Sequence, residues 1–171
     1  MTDDAYVARG RRALVVGLGC IDRGDDAIGP VVAARVDAAV TASGLAGVRV
    51  IVHEDPTALV EEMADSEVTV IVDAMRSGAP AGTVTLHEAG RDEPALSART
   101  STGPAGTHGL GLAAAIELAR ALDRLPARVV VVGIEAVDFE HGHALSVPVK
   151  DAVPRAVEAI LGVLGAGPVS S

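Results

Sequence analysis

Short apolar runs alternate along this chain with stretches whose apolar residues recur at helical spacing. Five runs predict strands: Arg12 to Gly19, Val48 to His53, Val68 to Ala74, Thr83 to Glu88 and Arg128 to Glu135. Four of them are near-continuous Val, Ile and Leu without clean alternation, the pattern of strands covered on both faces. Helical spacing fits Asp26 to Ala42, Pro56 to Asp65, His108 to Asp123 and Val149 to Leu164. Pro56 suits a first helical turn. The alternation predicts an α/β fold with a mostly parallel, doubly wound sheet. Only Ser77 to Gly82 separates the third and fourth strands, too few residues for a crossover helix. Those two strands are therefore antiparallel partners, or the fourth lies at a sheet edge. Residues Arg91 to Thr107 read as a long polar loop, and the tail from Gly165 to Ser171 as frayed. No internal repeat or second domain is apparent, so residues 1–171 are expected to form one domain.

Composition narrows the function. The 171 residues hold one Tyr, one Phe and no Trp, so the core must be aliphatic. Stacking of bases on aromatic platforms is not expected. The formal net charge of −9 opposes nucleic-acid phosphates. A single cysteine excludes an internal disulfide and a paired-cysteine zinc site. No apolar run reaches the ~20 residues of a membrane span. Arg11-Arg12 before Ala13 to Val16 has the look of a secretion signal, but the apolar stretch is short and Asp3 and Asp4 precede it. The expectation is a soluble cytoplasmic protein with neither nucleic-acid nor membrane partners.

Chemistry concentrates in Gly17-Leu18-Gly19-Cys20-Ile21-Asp22-Arg23-Gly24-Asp25-Asp26-Ala27-Ile28-Gly29-Pro30, a strand exit leading into a helix. A dinucleotide fingerprint needs a third glycine where Asp22 stands, and a Walker loop needs Lys where Asp25 stands. Glu54, ending the second strand, could still serve as a ribose-binding acid. Asp25 reads as a helix cap with a charge suited to the positive helix end. Asp26 reads equally as that or as a site residue. Asp73 closes an apolar strand, either as a turn cap or at the carboxyl edge where open α/β sheets bind ligands. Asp26 faces that same edge. His108 ends the long loop among Gly106, Gly109 and Gly111, which give close backbone access. His53, His87, His141 and His143 have weaker contexts, and His141-Gly142-His143 reads as a solvated loop. Asp26, Asp73 and His108 are expected to converge. Two carboxylates and one imidazole with open positions suit a borderline transition metal. A structural zinc site would be closed by four ligands, so others must come from water or a partner. Cys20 reads as a small packed residue rather than a nucleophile.

These motifs resemble those of the [NiFe]-hydrogenase maturation endopeptidases over nearly the whole chain. The opening motif of that family is similar to Gly17-Leu18-Gly19-Cys20 followed by Asp25-Asp26-Ala27-Ile28-Gly29. Its strand ending in Asp-Ala is similar to Val70 to Ala74, its histidine helix start to His108 to Leu112, and its late strand with an acid to Val131 to Glu135. The resemblance implies a three-layer fold, a twisted five-stranded sheet with helices on both faces, in a monomer. It implies removal of the C-terminal extension of a hydrogenase large-subunit precursor after nickel insertion. It places catalytic and metal-contacting roles on Asp26, Asp73 and His108. The nickel would belong to the substrate, with no permanently bound cofactor. Substrate contacts would fall on the turn at Glu54, Asp55 and Thr57, where Glu54-Asp55-Pro56-Thr57 replaces the family's Asp-Gly-Gly-Thr. Cys20 replaces the motif's asparagine. The alternatives are an independent metal-dependent hydrolase and a non-enzymatic nucleotide-binding module.

Overall fold

The computed structural model describes residues 12–89 and 107–165, with the backbone alone for 107–110. Five strands form one sheet: β1 (Ala13–Leu18), β2 (Val48–His53), β3 (Val68–Met75), β4 (Val84–Glu88) and β5 (Arg128–Glu135). Their spatial order is β2-β1-β3-β5-β4. All neighbours are parallel except β4, which pairs antiparallel with β5. The fourth strand thus lies at an edge and does not pair with β3. The short turn lets the chain reverse, but β5 takes the place beside β3.

The three central strands are rich in Val, Ile and Leu because both of their faces are covered. Odd-numbered Ala13 and Val15, with even-numbered Val68, Val70 and Val72, face one cluster with α1 (Ile28–Ser43) and α4 (Val147–Leu164). Leu14, Val16, Leu18 and Ile71 face a second cluster with α2 (Leu59–Glu62) and α3 (Thr107–Ala121). Strand alternation then puts Asp73 on the α3 face, because it shares the phase of Ile71. The edge strands β2 and β4 are only partly buried.

All four helix boundaries differ: α3 ends at Ala121 rather than Asp123, α4 starts at Val147 rather than Val149, and the other two differ more. Asp25 and Asp26 stand in a 3-10 turn, Gly24–Ala27, ahead of α1. The predicted helix from Pro56 to Asp65 is one α turn between two 3-10 turns, Pro56–Ala58 and Met63–Asp65. The chain tightens into 3-10 turns at both ends of this segment, as short connections commonly do. The Gly165 end of α4 is a left-handed cap at φ 74°, one of the terminations glycine permits. The loop assigned to 91–107 and the tail assigned to 165–171 lie outside the described residues, except that Thr107 opens α3 and Gly165 caps α4. Among the described residues, no helix is long and apolar enough to cross a membrane.

Candidate active site

The carboxyl ends of β1, β3 and β5 meet the 3-10 turn at Gly24–Ala27. The glycines of the opening motif explain how. A Cβ on Gly17 would strike the carbonyl of Gly29, and one on Gly29 would strike the carbonyl of Leu18. Gly19 adopts φ 130°, and a Cβ there would strike the carbonyl of Asp26. These glycines therefore bring the start of α1 hard against the end of β1. They serve packing, not a phosphate cradle. The loop amides that could hold a phosphate are occupied. Gly19 N–H donates to His53 O at 3.0 Å, Gly24 N–H to His143 O at 3.1 Å and Asp25 N–H to Asp138 O at 2.7 Å. Cys20 N–H donates to Asp26 Oδ2 at 2.9 Å. With two carboxylates buried in the same loop and these amides already bonded, the field there opposes an anionic ligand.

Asp26 and Asp73 are both buried, at 3% and 5% exposure. Burial, with the negative charge of Asp26 added, pushes the Asp73 carboxyl from an ordinary 3.8 up to about 8. A hydrogen bond involving the Ala74 backbone offsets this only in part. Asp73 Oδ1 is buried with no hydrogen-bond partner among the described residues. A buried, unpartnered carboxyl oxygen beside a second carboxylate costs stability unless a proton or cation joins it. The pair is thus arranged for a positive ligand.

This has a thermodynamic consequence. Between pH 3.8 and about 8 the folded protein holds a proton on Asp73 that the unfolded chain has released. Its contribution to stability is fully present below the lower value, falls as pH rises through this window and is lost above about 8. Asp73→Asn removes the ionisation. In urea melts the variant should match the parent near pH 4 and exceed it by about 2–4 kcal/mol at pH 9. A variant no more stable than the parent at pH 9 would contradict the buried acid.

His108 lies in the first turn of α3, and its side chain is outside the described residues. The helix packs beside the turn after β2, where a Cβ on Gly111 would sit 3.3 Å from Pro56 Cγ. Its other end leads into Arg128 at the amino end of β5. The helix therefore starts at the carboxyl edge, which also bears Asp26 and Asp73. Among the described residues no three His, Cys, Asp or Glu side chains are grouped to hold an ion. Glu54, Asp55 and Thr57 are exposed on that turn. Asp55 Oδ1 accepts the Thr57 N–H at 2.9 Å, so its carboxylate shapes the turn.

Asp25 is not the cap of its own helix. Its carboxylate is fully buried and reaches across the fold. Oδ2 accepts the N–H groups of Val137 and Asp138 at 3.0 Å each and the Ser146 hydroxyl at 2.9 Å. Oδ1 accepts the Ser146 N–H at 2.7 Å. One side chain thus ties the exit of β1 to the exit of β5 and the start of α4. Its donors lie 112 to 121 residues away in sequence, so no local pattern announces them. Glu135 acts likewise. It takes the N–H groups of Ser77 and Gly78 and the Ser77 hydroxyl, fixing the turn that follows Asp73 and Met75. The sequence marked Asp25 as an acid at a helix start and Glu135 as an acid at a strand end; which acid holds loops and which faces the site depends on tertiary donors.

The remaining histidines stay outside this arrangement. His143 is half-exposed and its Nδ1 lies 2.7 Å from Asp138 Oδ2, a bond that raises its pKa. His53 lies 3.5 Å from Glu62 on the β2 edge. Cys20 is free and half-buried; its backbone N–H, not its thiol, serves the site.

The family HycI, described as hydrogenase maturation protease, matches residues 54–163, well over half of the chain. That segment holds Asp73, His108 and the Glu54 turn, and begins after Asp26. No curated protein matches significantly. Among solved structures, the hydrogenase maturating endopeptidase HybD from E. coli is 24% identical, with TM-score 0.72, over 90% of this chain and 91% of its own. An endopeptidase from Escherichia coli is also 24% identical, with TM-score 0.75, over 93% and 95%. A hydrogenase 2 maturation peptidase from Thaumarchaeota archaeon SCGC_AB-539-E09 is 26% identical, with TM-score 0.65, over 91% and 99%. The E. coli structures establish the shared three-layer fold, while the family match covers the chain's own sequence. The chain belongs to the hydrogenase maturation protease family and is an endopeptidase of hydrogenase maturation.

Proposed function

We propose that this endopeptidase removes the C-terminal extension of a [NiFe]-hydrogenase large-subunit precursor after nickel insertion, and that Asp26, Asp73 and His108 read the nickel. The observation that carries the site assignment is the buried Asp73 carboxyl, pushed up to about 8 beside Asp26, with Oδ1 unpartnered. Burial and the charge of Asp26 keep a proton on it at neutral pH. A divalent ion arriving with the substrate supplies the missing positive charge, and Asp73 releases its proton as it engages. His108, at the start of α3 on the same edge, would add a neutral nitrogen donor. The protein's ligand set is incomplete by itself, which suits an ion already held by another protein. The exposed Glu54, Asp55 and Thr57 turn, packed beside the start of α3, would touch the peptide flanking that ion.

Cleavage adds water across one peptide bond, leaving a new carboxylate on the mature subunit and an amine on the released tail. The substrate's own nickel can polarise the scissile carbonyl or the attacking water, or one carboxylate can take the water's proton. In each case the reaction proceeds only when the ion is present.

The test is a cleavage assay on purified nickel-free and nickel-loaded precursor, with mass spectrometry of the released tail. Only loaded precursor should be cut, and the enzyme alone should purify without stoichiometric metal. Equal cleavage of both precursors would move the assignment to an independent hydrolase.

A further inference from the structure

The described residues include seven large aliphatic side chains that stay exposed, and three of them are carried on segments that converge on the Asp25-Asp26 turn. Ile21 is 57% exposed and follows Cys20, whose N–H binds Asp26. Val137 is 54% exposed, and its own N–H binds Asp25. Val147 is 70% exposed and follows Ser146, whose N–H and hydroxyl both bind Asp25. Beside them, the Arg76 guanidinium lies 4.6 Å from the Phe139 ring centroid and donates to Val137 O at 3.0 Å. Arg23 Nε donates to Phe139 O at 3.1 Å. An acidic chain thus places an apolar rim and two anchored arginines where its carboxyl-edge loops meet. Exposed aliphatics gathered on adjoining segments, unlike ones scattered singly, mark an interaction surface.

We infer that Ile21, Val137 and Val147, with the Arg76–Phe139 pair, form the surface on which the folded precursor docks to bring its metal to Asp26 and Asp73. The inference rests on the nickel-reading function above. An ion inside another protein can reach two buried carboxylates only if that protein's surface closes over their rim. The partner surface is therefore apolar, with a carboxylate set to meet Arg76. An arginine pre-held by an aromatic ring and a carbonyl loses little freedom on pairing.

The internal control lies on α3. Leu118 in the last turn of α3 and Leu122 just past its end are exposed to similar extents, 50% and 52%, where the chain leads to the amino end of β5. If exposure alone mattered, both sets would behave alike. Ile21→Ser, Val137→Ser, Val147→Ser and Arg76→Ala should each raise KM for nickel-loaded precursor about tenfold with kcat within about twofold. Leu118→Ser and Leu122→Ser should change neither constant. Direct binding of nickel-free precursor, which is not expected to be cut, to the parent enzyme with and without the rim substitutions separates docking from chemistry. Unchanged KM and binding in the rim variants would overturn the docking surface, as would equal loss in the α3 controls. If the parent binds precursor through the rim yet cuts nothing, docking stands and the proposed function falls. If the parent binds no precursor, both fall.

Discussion

Asp26→Asn should lower cleavage of nickel-loaded precursor by about a hundredfold or more while the protein melts no lower than the parent. The amide keeps an oxygen to accept the Cys20 N–H, which holds the turn at 2.9 Å. It also relieves Asp73 of the neighbouring charge that helps push its carboxyl up. What it removes is half of the negative potential offered to an incoming cation. His108→Ala should give the same loss of cleavage with little change in stability, because it removes one nitrogen donor at the first turn of α3 and leaves the aliphatic packing at Leu112 and Ala115 intact. Steady-state kinetics on loaded precursor and a thermal melt of each variant check both expectations. An Asp26→Asn enzyme that cleaves at the parent's rate would remove the carboxylate from the mechanism.

Asp25→Ala should do the opposite: it should unfold the protein more readily, and activity should fail with the fold. The substitution strands three N–H groups and one hydroxyl that now bond a fully buried carboxylate. Leaving such donors unmet costs about 3–5 kcal/mol, a large share of the ~5–15 kcal/mol that holds a domain together. For a chain of this length the melting temperature should drop by about 10 °C. Asp25→Asn should recover only part, because its NH₂ group faces donors rather than acceptors. Ser146→Ala, which removes only the hydroxyl, should cost about 1 kcal/mol. Denaturant titration of the three variants gives the order directly. Two adjacent aspartates would then be separated by experiment, one failing in folding and its neighbour in chemistry.

Much of this protein was legible from the order of its residues. Runs such as Val68 to Val72 and Val129 to Val132 can only be strands buried on both faces, because no other element buries so many consecutive β-branched residues. Two of the five strand spans matched the structure at both ends, and the alternation with helical stretches was enough to predict the doubly wound sheet. The glycine turn and the strand-ending Asp73 were visible as well, since a carboxylate closing an apolar strand has few local uses.

Other features were settled only by the tertiary structure. The position of β4 depended on which strand's hydrogen-bonding edge was free, and parallel β5 had already taken the edge of β3. The roles of Asp25 and Glu135 depended on donors more than fifty residues away. The raised pKa of Asp73 depended on burial and on the nearness of Asp26, neither of which is a property of its own segment. Local sequence sets conformation because backbone and nearest side chains decide it. The charge state and purpose of a buried carboxylate follow from its surroundings, and those are assembled from distant parts of the chain only when it folds.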